Sequence, residues 1–125
     1  MTTTNQIPQR GEVWQVRFDP GEGDEIQKER PAVVVNVPEV GRMGLRIVVP
    51  FTNWRDGFLK YPWMVRIDPS DDNGLSKESA ADAFQVKSLA LTRFVDKLGI
   101  LPSAEMDSIT AAIVLCVGYF PPSSR

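Results

Sequence analysis

Apolar and polar residues alternate from Gly11 to Phe18, with Trp14, Val16 and Phe18 on one face and Val13, Gln15 and Arg17 on the other. That period of two predicts a half-buried strand. Asp19-Pro20-Gly21-Glu22-Gly23-Asp24 predicts a turn and loop, because glycine and proline supply the required dihedrals. The run Ala32 to Val37, interrupted only by Asn36, is short and β-branched, which predicts a strand buried on both faces and central in a sheet. After a loop over Pro38 to Gly44, Leu45, Ile47 and Val49 alternate with Arg46 and Val48 in a third strand ending at Pro50-Phe51-Thr52. Asn53 to Tyr61 reads as an exposed loop, Pro62 to Ile67 as a fourth strand and Asp68 to Lys77 as another loop. Ala83 to Leu89 reads as a fifth strand, and Leu91 to Leu98 as one or two helical turns stopped by Gly99. Met106, Ile109, Ile113, Cys116 and Val117 then fall at helical spacing from Ser103 to Gly118, with Ser103 as N-cap. Short strands with one terminal helix predict a small, strongly bent sheet or partly open barrel, closed at one end by that helix.

A chain of 125 residues, 42% hydrophobic and 24% charged, fits one soluble domain spanning 1–125, with its core at about 10–118, a flexible polar lead-in and a C-terminal tail. No apolar run has the length of a membrane helix, and Met1 to Pro8 lacks the apolar stretch of a signal peptide. The lone cysteine, Cys116, excludes an internal disulfide and fits a reducing cytoplasm. With no histidine and one cysteine, the usual zinc sites and every histidine-assisted nucleophile are removed, so no metal or other cofactor is expected. A net charge of −2 argues against a general nucleic-acid coat but leaves room for a local basic cleft.

Candidate chemistry begins at Arg30. Pro31 fixes its own φ and pushes Arg30 into an extended conformation at the stiff entrance of the central strand. A guanidinium held there suits a phosphate, because its planar fork presents several donors at fixed angles. The plain structural alternative is a surface arginine at a strand end. Between Asn53 and Tyr61, Trp54, Arg55, Phe58 and Lys60 mix rings with cations, as surfaces that hold single-stranded RNA do. Trp63 is read as a core residue, and Met106, Ile109 and Ile113 as core or dimer packing.

Seven segments resemble the MazF/PemK toxins in order and spacing: Arg10-Gly11-Glu12-Val13-Trp14, Phe18-Asp19-Pro20, Gly23-Asp24-Glu25, Arg30 to Val35, Val49-Pro50-Phe51-Thr52, Phe84 to Leu89 and Arg93 to Gly99. The resemblance covers roughly residues 10 to 118. It implies an SH3-like barrel, a homodimer, and a metal-independent endoribonuclease that cleaves single-stranded RNA and is silenced by a cognate acidic antitoxin. It also implies that Arg30 activates the scissile phosphate, that Thr52 binds a phosphate oxygen and that Glu25 is the acidic residue of the loop motif. Many relatives carry Asp-Gln where this chain has Phe84-Gln85, and some carry histidine at the position of Glu29, so the general base is not assigned by the resemblance.

RNA brings its own nucleophile, the ribose 2′-hydroxyl. A nuclease must deprotonate it, stabilise a crowded phosphorane and protonate the leaving 5′-oxygen. Arg30 suits the electrostatic part but not the base, because a guanidinium stays protonated and has no lone pair to offer a proton. Glu25 serves as base if burial raises its pKa toward the working pH; the alternative is a solvated loop carboxylate. Thr52 has the alternative of satisfying its own strand end. Arg17, Lys28, Asn53, Trp54, Arg55, Gln85 and Lys87 complete the expected substrate-binding set, with Lys60 as a further cation. Two other readings remain at this stage: a toxin of the same fold that binds gyrase, and an inactive module that only pairs with an antitoxin.

Overall fold

The structure, a computed structural model, describes residues 7–40 and 44–119. The expected polar lead-in over residues 1–6, three residues of the 38–44 loop and the tail beyond residue 119 lie outside the described residues. Among the described residues seven strands and one helix follow in order: β1 (Glu12–Arg17), β2 (Glu29–Val34), β3 (Leu45–Asn53), β4 (Met64–Ile67), β5 (Ser79–Asp82), β6 (Lys87–Ala90), β7 (Phe94–Ile100) and α1 (Ser103–Cys116). Single 3-10 turns occupy Asp56–Lys60, Ala83–Gln85 and Leu91–Arg93.

All pairings are antiparallel, and the sheet runs β4-β5-β3-β2-β1-β7 with β6 added against β3. β3 is the hinge of this sheet. Leu45–Val48 pairs with β6, Val48–Pro50 with β2, and Phe51–Asn53 with β5, so one strand bends through three partners. Among the described residues β4 and β7 do not pair, and the barrel stays partly open.

The unbroken apolar run of β2 has a simple cause: both faces are covered. Val33 joins Val13, Val49, Phe51 and Ile67 in a cluster that Met106 and Ile109 of α1 close. Ala32 and Val34 join Trp14, Val16, Phe18, Val48 and Leu89 in a second cluster on the opposite face. Arg10 fastens the helix to the end of β2, donating from Nη1 to the Val35 carbonyl and from Nη2 to Thr110 Oγ1 at 3.2 Å.

Three local expectations are corrected. Ala83–Leu89 is not one strand; a 3-10 turn precedes β6, and the missed strand β5 lies just before it. Ser79-Ala80-Ala81-Asp82 has no β-forming residue, yet all four are buried between β3 and β4, where small side chains are what fits. Leu91–Leu98 is a 3-10 turn followed by β7 rather than helix. Leu91, Phe94, Val95 and Leu98 mimic helical spacing because register shifts in the β1–β7 pairing break the period of two. The helix N-cap is Pro102, in an extended conformation, and Ser103 is the first helical residue with no capping bond.

Candidate active site

Arg30 stands at the second residue of β2, half-buried and paired in register with Val16. The β2–β3 register joins Ala32 to Pro50 and Val33 to Val49. Continued by two residues, it sets Arg30 across from Thr52, on one face of the sheet. The two residues line a common cleft of about 210 Å³ together with Glu29, Asn53, Lys77 and Ser79. Arg30 Nε donates to the Gln27 carbonyl at 3.3 Å, which orients the fork and leaves both Nη groups without a protein partner among the described residues.

The approach to Arg30 is held from both sides. Lys28 adopts a left-handed backbone, φ 68°, which a lysine enters only at a cost of about 1 kcal/mol or more. Its amide donates to Asp19 Oδ1 at 2.7 Å, and its carbonyl accepts from the Phe18 amide at 2.7 Å. Those bonds hold the strained residue and fix where β2 begins.

Glu25 lies elsewhere. It lines a second cleft, of about 450 Å³, with Asp24, Phe84, Gln85, Val86 and Lys87. Its side chain is exposed, and Oε1 accepts from the Glu22 amide at 2.8 Å. Gln85 is used internally: Oε1 accepts from the Ile26 amide at 2.5 Å, while Nε2 donates to the Asp24 carbonyl at 3.2 Å and to Asp82 Oδ2 at 3.3 Å. This amide ties the Glu25 loop to the 3-10 turn. Asp82 beneath it is buried, and its Oδ1 accepts from the Phe84 amide at 3.1 Å. Burial pushes the Asp82 carboxyl above its ordinary range, and the hydrogen bonds from Gln85 and Phe84 offset that only in part.

Asn53 lines the Arg30 cleft, and Trp54 and Arg55 continue from it along the chain. Arg17 is outside both clefts; its Nη2 donates to the Thr92 carbonyl at 2.6 Å. Lys28, Arg55, Lys60, Lys77 and Lys87 have no hydrogen bond or ion pair from their side-chain nitrogens among the described residues, whereas Arg66 and Lys97 are paired with carboxylates. Lys77, Ser79 and Asp82 had no signal in the sequence, because the strand that carries or adjoins them is built from small residues. Among the described residues no group of three or more acidic or sulfur side chains is arranged for a metal ion, and no helix is long and apolar enough to cross a membrane.

Residues 9–117 match the family of PemK-like, MazF-like toxins of type II toxin-antitoxin systems. Endoribonuclease MazF9 of Mycobacterium tuberculosis is 35% identical over 114 residues, covering 85% of this chain and 92% of its own. The endoribonuclease toxin MazF of Escherichia coli K12 is 33% identical over 115 residues, covering 90% and 96%. Among solved structures, MazF from Deinococcus radiodurans superposes with a TM-score of 0.77 at 24% identity, covering 92% of this chain and 100% of that one. A mycobacterial endoribonuclease solved with its cognate antitoxin gives a TM-score of 0.72 at 24% identity, covering 93% and 100%. By a family match along nearly its whole length and by relatives above 30% identity, this chain belongs to the PemK-like, MazF-like toxins of type II toxin-antitoxin systems.

Proposed function

We propose that the protein is the RNA-cleaving toxin of its toxin–antitoxin pair, an endoribonuclease that cuts single-stranded RNA by attack of the ribose 2′-hydroxyl. The observation that carries this reading is the cleft in which Arg30 and Thr52 meet, with both Arg30 Nη groups unpartnered among the described residues at a rigid strand entrance. Those donors fit two oxygens of a phosphate, and they gain strength as charge builds on the phosphorane. Thr52 Oγ donates to a remaining oxygen, and Lys77 adds positive charge at the same rim.

Among the described residues Glu29 is the one acidic residue lining this cleft, whereas Glu25 is in the second one. Glu29 is as exposed as Glu25, so its place beside Arg30 alone gives it the base role in this reading, with Glu25 shaping the loop. Chemistry of this type needs no metal. Relatives named as endoribonucleases support RNA as the substrate class, and a related fold solved with its antitoxin supports an antitoxin as partner. An acidic antitoxin segment would compete for the same unpartnered cations. A homodimer fits as well, since Leu115 and Val117 extend the apolar surface of α1 into solvent, and the lone cysteine fits a reducing cytoplasm.

The test is incubation of purified protein with a mixed-sequence RNA in the presence of EDTA. Cleavage to 2′,3′-cyclic phosphate and 5′-hydroxyl ends is expected, and 2′-deoxyribose at the cut should block it. Intact RNA, or DNA breaks that depend on gyrase, would overturn the proposal. Glu29→Gln should lower kcat far more than Glu25→Gln; the reverse order would return the base role to Glu25.

A further inference from the structure

An unbroken row of rings runs from Trp54 to Phe84. Trp54 packs edge-on to Phe58 (centroids 5.8 Å), Phe58 against Tyr61 (6.3 Å), Tyr61 stacks on Trp63 (4.9 Å, 17°), and Trp63 meets Phe84 edge-on (6.0 Å). A soluble chain ordinarily puts such rings in its core. Here Phe84 is 71% exposed and Tyr61 42% exposed. With 71% exposure and only an edge-on ring contact, Phe84 leaves most of its ring free for a stacked partner.

The row is interleaved with charge. Arg55 and Lys60 flank its middle, and Lys87 lines the cleft whose rim Phe84 forms; none of these has an internal partner among the described residues. Its first ring, Trp54, is the next residue in the chain after Asn53, which lines the Arg30 cleft.

We propose that Phe84, with Tyr61 and Trp63 behind it, is a base-stacking subsite for nucleotides flanking the cut in single-stranded RNA, and that Lys87 takes a phosphate beside it. The proposal rests on the RNA-cleaving reading and adds where the strand lies. A flat ring with an open face and a free cation beside it matches the alternation of base and phosphate along a single strand. The subsite holds substrate away from the reacting phosphate, so it acts on binding and not on the chemical step.

The probe is a ten-nucleotide RNA of mixed sequence carrying 2′-deoxyribose throughout the cleavable positions, titrated by tryptophan fluorescence. Phe84→Ala and Phe84→Leu should each weaken binding about tenfold, because Leu keeps the bulk and loses the π-face. Phe84→Tyr should bind like the parent, and Tyr61→Ala should show a smaller loss. On the cleavable strand Phe84→Ala and Phe84→Leu should raise KM with kcat unchanged, Phe84→Tyr should keep the parent KM, and a dinucleotide should be cut at the parent rate. Parent-like RNA binding by Phe84→Leu would overturn the subsite. So would a loss confined to an acidic antitoxin peptide, which would make the row a protein-docking surface. If the parent binds the probe but cuts no RNA, the cleavage reading fails while the titration still decides the stacking.

Discussion

Two connecting segments of similar length leave β4 at its opposite ends, and they are built on opposite principles. Residues 68–75 close their hydrogen bonds on themselves, and only beyond them does Lys77 turn to the Arg30 cleft. Asn73, 2% exposed, accepts from the Ser70 and Leu75 amides and donates to the Asp68 carbonyl, while the Ser70 hydroxyl accepts from the Asn73 amide. Gly74 and Gly99 let this segment and β7 touch: a Cβ on Gly99 would come within 2.2 Å of the Asp72 carbonyl oxygen. Residues 54–63 do the reverse. Their 3-10 turn buries no residue, Leu59 is 79% exposed, and Arg55 and Lys60 reach no acid among the described residues. A loop that closes its own hydrogen bonds holds the fold, and one that leaves rings and cations unmet is available to a ligand.

The largest effect that could break this contrast is at the head of the open side. Arg30→Ala should cut RNA cleavage by about 10²–10³ or more while the thermal melt stays unchanged. Arg30→Lys should recover little, since one ammonium cannot reproduce a two-pronged grip. Near-parental cleavage by Arg30→Ala would end the phosphate role.

On the closed side the signs reverse. Asn73→Ala deprives the Ser70 and Leu75 amides of their shared acceptor and should cost about 2–3 kcal/mol of stability, with cleavage per folded molecule unchanged. Urea denaturation read beside activity separates the two. A loss of turnover without a loss of stability would show that the closed segment is not merely structural.

A smaller shift is expected from Lys87→Glu. Removing one phosphate contact should flatten the log–log salt dependence of single-stranded RNA binding by about 0.7. If antitoxin and RNA share the groove, both affinities should drop together in the same variant. An unchanged antitoxin affinity would separate the two surfaces.

The smallest effect belongs to Asp82, beneath Phe84 and Gln85. Its carboxyl is held above the ordinary 3.8, chiefly by burial. The folded state therefore keeps a proton that the unfolded chain releases, and this residue's contribution to stability falls as pH rises through the window above 3.8. Asp82→Asn should remove that part of the slope in melts recorded across the window; an identical slope would mean that the carboxyl does not sense its burial.

Arg30 was legible because its constraints are local: a proline on one side and a β-branched run on the other. Its closeness to Thr52 follows from the register of two strands recognisable by pattern. Glu25 was legible as a loop carboxylate, but the cleft it lines depends on how the Gln85 amide ties that loop, and no spacing encodes that contact across 60 positions. Lys77 and Ser79 were hidden because the strand at Ser79 reads as a weak, small-residue stretch. Gln85 looked like a binding residue from its motif, and only the structure showed both ends of its amide engaged inside the protein.

What the sequence determined by itself is whatever rests on short-range physics. That includes the central strand buried on both faces, the terminal helix, the lack of histidine chemistry and the stiff setting of Arg30. The tertiary structure alone decided which carboxylate shares the Arg30 cleft, that β7 is strand where the spacing reads helical, and that the rings after Thr52 form a row ending at Phe84. The reason is that β3 bends through three partners. Its bend brings together segments far apart in the chain, and packing against those segments outweighs local propensities worth under about 1 kcal/mol each.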